Sequence, residues 1–439
     1  MLQLESQGPD LWDSVLPEDL RKLSEEHARV DALLKDPRVM EPFLKRFNET
    51  MGRPGVPVAT YLRLMYLKFR HKLGYETLVE EVSDSISWRR FCGIGYQQRV
   101  PDSTTLIKLT HKYGEDALKE LHGLILENLK ERKLVRGRKI RRDTTVVSSD
   151  IHYPTDAGLL LDGLRRMRQG LLKVPRIGLR LGRTMKKAKG LIFSIAQFLR
   201  KPNAKSRKKV QRLNRRMIRI VRRTVIKVKR VLRRVKDPRV RGHLETTLAL
   251  TNQVAGQSQE RLDGGKPEDR LVSLADPEAR PIVKGKLDKP VEFGRLVQLT
   301  QDESGYFTQG DVHEGNPQEA PMVPDILAEH QEQFPGTLKA VAADMAYGSA
   351  DNHALLTEAG VTKIGIRWRG HAPPGIAAKQ KRSWFKALYR FRAGIEAGIR
   401  FLDRKFGMKR SMFRGTPGTH VWVSWCLIAA NLYRFGRGP

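Results

Sequence analysis

The sequence predicts a mixed α/β chain of the α+β kind: a helical N-terminal domain, then a mixed sheet with flanking helices, interrupted by a long basic helical insertion. Three observations predict it. Apolar residues recur at three- and four-residue spacing through the first 135 residues, short β-branched runs begin near Lys139, and a long cationic stretch separates the first such run from the rest. At 439 residues with 40% hydrophobic side chains, the chain is long enough for two to three domains with real cores, which excludes a disordered protein.

Residues 1–135 read as short helices. Leu62, Met65, Phe69 and Leu73 form an apolar stripe ended by Gly74, and a second helix is expected from about Glu76 to Arg90. Pro101, Asp102 and Ser103 offer a cap for the helix that follows. Such helices suit a helix-turn-helix module and suit any small helical bundle equally well. At Lys139 the texture changes to IRRDTTVVSSD, a strand candidate opening the second domain, 136–439. A helical insertion over 157–270 follows, including a helix around Leu244 to Leu262. Strand texture returns in VEFGRLVQLT and SGYFTQGDVHEGN, split by the turn-like QDESG. Pro324 to Phe334 reads as helix, LKAVAAD as a buried strand and Val361 to Trp368 as another. A basic loop, RWRGHAPPGIAAKQKR, leads to a helix from Ser383 to Phe406, and VWVSWCLIAA reads as a buried helix.

The 82 basic residues exceed the 48 acidic ones by 34, which excludes an ordinary enzyme of small anions as the first expectation and makes a polyanion the natural partner. Arg165 to Arg241 holds 30 Lys or Arg against one acid, Asp237. Within it Val210, Leu213, Met217, Ile220, Thr224, Val228, Val231 and Val235 step by three or four, so one helix face is apolar and the rest cationic. Arg215, Arg216, Arg222 and Arg223 exemplify the cationic side, either a nucleic-acid contact or a solvated arm. Two cysteines, Cys92 and Cys426, match neither a disulfide framework nor a zinc spacing and point to a reducing compartment. The N-terminus lacks a signal-peptide pattern, and the longest apolar run, Val421 to Ala430, is about half of what a membrane span needs, so a cytoplasmic protein with no membrane partner is expected.

Asp143 interrupts one strand candidate and Asp344 ends another; a carboxylate in such a place calls for pairing or a cation. On the late helix Phe391, Ile395, Ile399, Leu402 and Phe406 face the core, while Tyr389, Arg392, Glu396, Arg400 and Asp403 lie beside that stripe. Three carboxylates from two strands and a helix would suit two Mg²⁺ ions acting on phosphate oxygens. Each acid also has an ordinary reading: a salt-bridged strand residue for Asp143, a turn initiator for Asp344, and a helical partner of Arg392 and Arg400 for Glu396. The residues alone leave both open.

Taken together, the DTT strand, HYPTDAGLL, GDVHEGNPQEA, DMAYGS and YRFRAGIEAGIRFLDRKFG resemble prokaryotic insertion-sequence transposases of the DDE, RNase H-like type. The stretch from Tyr61 to Thr110, with ISWRRFCGI and VPDSTTL, is similar to their helical N-terminal domain. The resemblance implies an RNase H-like sheet and catalytic, metal-holding Asp143, Asp344 and Glu396 with two Mg²⁺ or Mn²⁺ ions. It also implies DNA partners, both terminal inverted repeats and target, bound by a homodimer in a synaptic complex at the nucleoid. The family's late helix spaces Tyr, Arg, Glu and Lys; Tyr389, Arg392 and Glu396 fit, but Asp403 stands at the Lys position. Arg404 and Lys405 become substitutes for that Lys, Arg400 a phosphate contact, and Asp403 a rival or assistant to Glu396. His313 and Asn316 are accessory candidates. Two other functions compete: a non-catalytic DNA- or RNA-binding derivative, and an RNase H-like nuclease without strand transfer.

Overall fold

The β-branched run after Lys139 is a strand, and the texture on either side of it is helical. These elements come from a computed structural model that describes residues 17–45, 55–174, 178–201, 203–283, 291–368 and 370–438. Before the strand lie α1 (Glu18–Arg21), α2 (Glu25–Leu34), α3 (Glu41–Leu44), α4 (Val58–His71), α5 (Tyr75–Asp84), α6 (Ile86–Cys92) and α7 (Ser103–Glu131). Next come β1 (Lys139–Ser149), α8 (Asp156–Leu172), α9 (Gly182–Leu199), α10 (Ala204–Leu232), α11 (Pro238–Leu262), β2 (Arg280–Val283), β3 (Val291–Asp302) and β4 (Phe307–His313). The chain ends with α12 (Val323–Gln333), β5 (Ala340–Ala342), α13 (Ala350–Glu358), β6 (Lys363–Gly365), α14 (Pro374–Lys381), α15 (Ser383–Phe401), β7 (Arg410–Ser411) and α16 (Gly415–Arg437). No helix among the described residues is long and apolar enough to cross a membrane. The signal-peptide question concerns residues 1–16, outside the described ones.

Several expectations need correction. The single helix from Glu76 to Arg90 is two, because Ser85 is extended and its hydroxyl caps α6 by accepting the Trp88 N–H. The basic loop contains α14, started by Pro374 in its first turn; Arg369 of that loop lies outside the described residues. The strand expected to Trp368 stops at Gly365, after which Arg367 lies over the Tyr389 ring and Trp368 against His353. The helix around Leu244 begins earlier, at Pro238, where the Asp237 carboxylate caps it. After Phe401 the helix to Phe406 continues as a π-helical turn, closed by Gly407 at φ +73°.

The chain divides into two compact units, residues 1–148 with 295–439, and residues 149–294. In the first, the sheet order is β4-β3-β1-β5-β6, with β7 also on β1; β3 and β4 are antiparallel, while β1, β5 and β6 run parallel. This is the mixed α+β, RNase H-like sheet the sequence predicts. The apolar helix α16 packs against α2, α4, α7 and β4, so the N-terminal helices and the sheet share one core. Leu62, Met65 and Phe69 of the predicted stripe are buried in it. At the first residue of edge strand β4, the Asn431 amide donates to the Phe307 carbonyl (2.8 Å) and accepts its N–H (2.9 Å), satisfying backbone groups that an edge leaves open.

In the second unit α8, α9, α10 and α11 pack together around Leu160, Leu164, Met167, Met217, Val221 and Leu244. The α10 stripe is the predicted one: Met217, Thr224 and Val228 are buried, joined by Ile218, Val221 and Val225, and Val235 is buried just past the end of the helix. Gly163 lets α8 approach α11, since a Cβ there would stand 2.5 Å from the Thr251 hydroxyl. Short β2 pairs with Val291–Gly294 at the start of β3.

Asp302, buried at the end of β3, accepts the Tyr306 N–H at 2.9 Å through one oxygen while the other has no hydrogen-bond partner. Burial raises its carboxyl to about 6. The folded state therefore holds this proton more tightly than the unfolded chain, so the stability it contributes is full below about pH 4 and is lost as pH rises through about 6. Asp302→Asn keeps the acceptor and removes the charge. Urea unfolding should show the variant more stable than wild type by about 1–3 kcal/mol at neutral pH, with the difference vanishing near pH 4. A difference that stayed constant with pH would rule the carboxyl out as its source.

Candidate active site

The site begins with the β1–β5 ladder. Lys139, Ile140 and Arg141 pair in parallel with Ala340, Val341 and Ala342, so Asp143 and Asp344, each two residues further on, stand at the same end of adjacent strands. Side chains alternate along a strand, which sends Arg141 and Asp143 to one face and Arg142 to the other. On the first face, Arg141 donates to the Phe391 carbonyl of α15 at 3.4 Å, and Asp143 lies 3.9 Å from the Arg392 guanidinium. On the second, Arg142 is 2% exposed and donates to Thr300 and Gln309 at 2.7 and 2.8 Å and to Asp311 at 3.2 Å.

Arg392 also lies 3.9 Å from Glu396, one turn further along α15, so a single guanidinium stands between the first and third acids. Both pairs are longer than hydrogen bonds and the Arg392 Nε has no partner, so the arginine is held rather than neutralised. The Tyr389 ring positions it: Arg392 lies 5.1 Å from the ring centroid, and Arg367 is 4.3 Å from the same ring. Glu396 is half exposed, whereas Arg392 is largely buried.

Asp344 caps the short 3-10 turn Met345–Tyr347, accepting the Met345 N–H at 2.6 Å, and opens onto a cavity of about 390 Å³. Gln318 and Glu319 line that cavity too, and Glu319 accepts a hydrogen bond from the Thr144 hydroxyl at 3.2 Å, beside Asp143. Glu319 is thus a fourth acid that sequence reasoning missed, although it sits in GDVHEGNPQEA; its only signal was an acid in a polar loop. Buried Tyr347 accepts from Gln298 at 3.0 Å, and its hydroxyl is held well above the usual range by burial, with the charges of Asp143 and Glu319 adding to the effect.

The other candidates are more dispersed. His313 hydrogen-bonds Gln298 at 3.1 Å and burial lowers its imidazole below the usual range, while Asn316 is exposed in the following loop. Asp403 lies in the π-helical turn, its charge acting on buried Cys426 of α16. Arg400 and Arg404 are exposed, and the Lys405 ammonium lies 5.2 Å over Tyr433. In the second unit Arg215, Arg216, Arg222 and Arg223 are all exposed on α10, with no ion pair among the described residues.

Hard carboxylate oxygens are the donors Mg²⁺ takes, so the chemistry of Asp143, Asp344 and Glu396 fits that ion. Among the described residues no three His, Cys, Asp or Glu side chains converge on one coordination sphere; between Asp143 and Glu396 the positive charge is that of Arg392.

Two family models match this chain: a transposase domain over residues 17–112 and the transposase DDE domain over residues 285–432. The chain belongs to the DDE transposases. The second match contains Asp344 and Glu396; Asp143 precedes it and reaches the same end of the sheet through the β1–β5 ladder. The chain is also 31% identical over 126 residues to the uncharacterized protein ORF8 of the nfe locus in Rhizobium meliloti, covering 28% of this transposase and 61% of that relative. No solved structure matches it.

Because Arg142 joins β1 to β3 and β4 from inside the sheet, Arg142→Leu should lower the unfolding free energy of this transposase by about 3–5 kcal/mol, measured by chemical denaturation. A loss under about 1 kcal/mol would show that these bonds do not hold the strand that carries Asp143.

Proposed function

We propose that this transposase cuts the ends of an insertion sequence and joins them to target DNA by two-metal phosphoryl transfer, with Asp143, Asp344 and Glu396 as the metal-holding acids. The observation that carries this reading is the meeting of Asp143 and Asp344 at one sheet end, with Glu396 tied to Asp143 through Arg392. Two bound Mg²⁺ or Mn²⁺ ions would supply Lewis-acid stabilisation of the attacking and leaving oxygens. The chain's own residues position the DNA. Arg392, set by Tyr389 and left with an unpartnered Nε, is available to a phosphate once it no longer bridges the acids. Glu396 is favoured over Asp403 as third acid because it shares that arginine with Asp143. The N-terminal helices would read the terminal repeats, and a homodimer would synapse two ends.

Asp143→Asn, Asp344→Asn and Glu396→Gln should each abolish nicking of labelled element-end DNA in Mg²⁺ while leaving DNA binding intact, since each removes a ligand from the chemistry. Asp403→Asn should be mild. Near-wild-type nicking by any of the first three would remove that residue from the site. Scoring nicked and joined products in one assay separates a transposase from a nuclease that does not join.

The exposed cations of α10 should grip DNA phosphates. With about six to ten such contacts, affinity should fall roughly 10³- to 10⁵-fold between 50 and 200 mM salt. Changing Arg215, Arg216, Arg222 and Arg223 together to Gln should flatten the slope of log K against log salt by up to about four. An unaltered slope with lost solubility would make α10 a solvated arm instead.

A further inference from the structure

A second cavity, of about 780 Å³, lies away from the acids, between α4, α5 and α7 on one side and the β7–α16 segment on the other. Its wall is aromatic. The Lys68 ammonium stands 4.7 Å from the Tyr75 ring centroid, 5.4 Å from Trp422 and 5.9 Å from Phe413, and donates to the Leu73 carbonyl at 2.9 Å. With Phe69 at 5.0 Å, one buried cation thus gathers four rings around a point, so the wall is formed before any ligand arrives. The Tyr75 and Phe413 rings are nearly parallel, 10° apart.

Two further features bear on the occupant. Trp422 is only 7% exposed, yet its indole N–H has no hydrogen-bond partner, an unmet donor in the wall. Lys72, Arg410 and Arg414 line the same cavity and are exposed, while Glu115, the acid among its lining residues, is tied to His420 at 2.8 Å. Aromatic faces within and cations without match a nucleotide: the flat, apolar base has acceptors on its edge and the phosphates carry the negative charge.

We propose that this cavity binds an unpaired base of single-stranded DNA, stacked on Tyr75 and Phe413, with flanking phosphates on Lys72, Arg410 and Arg414. The inference rests on the transposase reading only in supplying DNA as the polymer. Stacked bases of a duplex are closed to it, so the site distinguishes single from double strands.

The test uses the full chain in EDTA, so that no cleavage is needed, and two probes of equal length: an oligothymidylate carrying one 2-aminopurine, and the same strand in a duplex. Wild type should quench the single-strand fluorescence. Phe413→Leu, which keeps the volume apolar but removes the ring, should weaken single-strand binding about 5- to 100-fold and leave duplex binding within about twofold. Trp422→Phe removes the N–H together with the five-membered ring of the indole but keeps an aromatic face, and should weaken single-strand binding less. Thermal melts identify any variant that fails to fold, in which case the other carries the test. Unchanged single-strand affinity in a folded variant, or an equal loss on the duplex, would overturn the inference and leave the transposase reading standing. A wild-type chain that bound neither probe would overturn the inference. If ring removal instead dissociated a dimer in sedimentation without altering single-strand binding, the occupant would be a second copy of this chain and the inference would fall.

Discussion

A guanidinium inside a sheet is the constraint on which the rest depends. Arg142 is almost wholly removed from water, an expensive place for a charge, and is tolerated because its two terminal nitrogens donate to Thr300, Gln309 and Asp311, although its Nε has no partner. Those partners come from β3 and β4, so one side chain fixes three strands at one level. Its neighbour Asp143 points the opposite way by the alternation of the strand. A slip of one residue would bring Asp143 into the sheet's interior and turn Arg142 toward α15. The register that Arg142 enforces is therefore also what puts Asp143 on the face where Arg392 and Glu396 of α15 lie.

On the α15 face the electrostatics are those of shared cations. Asp143 and Glu396 are like charges whose mutual repulsion is relieved by Arg392 between them, and Arg392 in turn shares the Tyr389 ring with Arg367. The distances near 3.9 Å leave the carboxylates without direct hydrogen bonds to that guanidinium, so little has to be broken for another cation to take its place. The second unit inverts this balance. Its α10 carries cations on every face except the one that packs, and apolar burial of Met217, Val221, Val225 and Val228 has to outweigh their repulsion.

Local chemistry was readable in the sequence wherever it settled the outcome. The α10 stripe, the Asp102 cap of α7, the QDESG turn and the buried run of α16 all followed from spacing and residue type, and the structure has them. Misses occurred where partners are distant. Nothing in IRRDTT tells whether Arg141 or Arg142 is buried, because the deciding acceptors lie 158 and 167 residues away. Glu319 looked like any loop acid until Thr144 and Asp344 were folded beside it. Ser85 failed for a different reason: a serine within a helical pattern reads as a tolerated guest, and only its extended backbone makes it a cap.

The long separation of Asp143 from Asp344, 201 residues, costs the site little. Chain closure becomes only slowly less favourable with length, and here the ends of the intervening chain are fixed by pairing. The insertion leaves at the end of β1 and returns as β3, which are neighbours in the sheet, and β2 pairs with Val291–Gly294 at the return. The α8–α11 bundle has its own apolar core, so it does not draw on that of the sheet. Asp143 and Asp344 are then aligned by three ladder pairs between β1 and β5, whatever the length of chain looped out between them. A sheet built this way can loop out a large cationic module without disturbing the ladder that aligns Asp143 with Asp344.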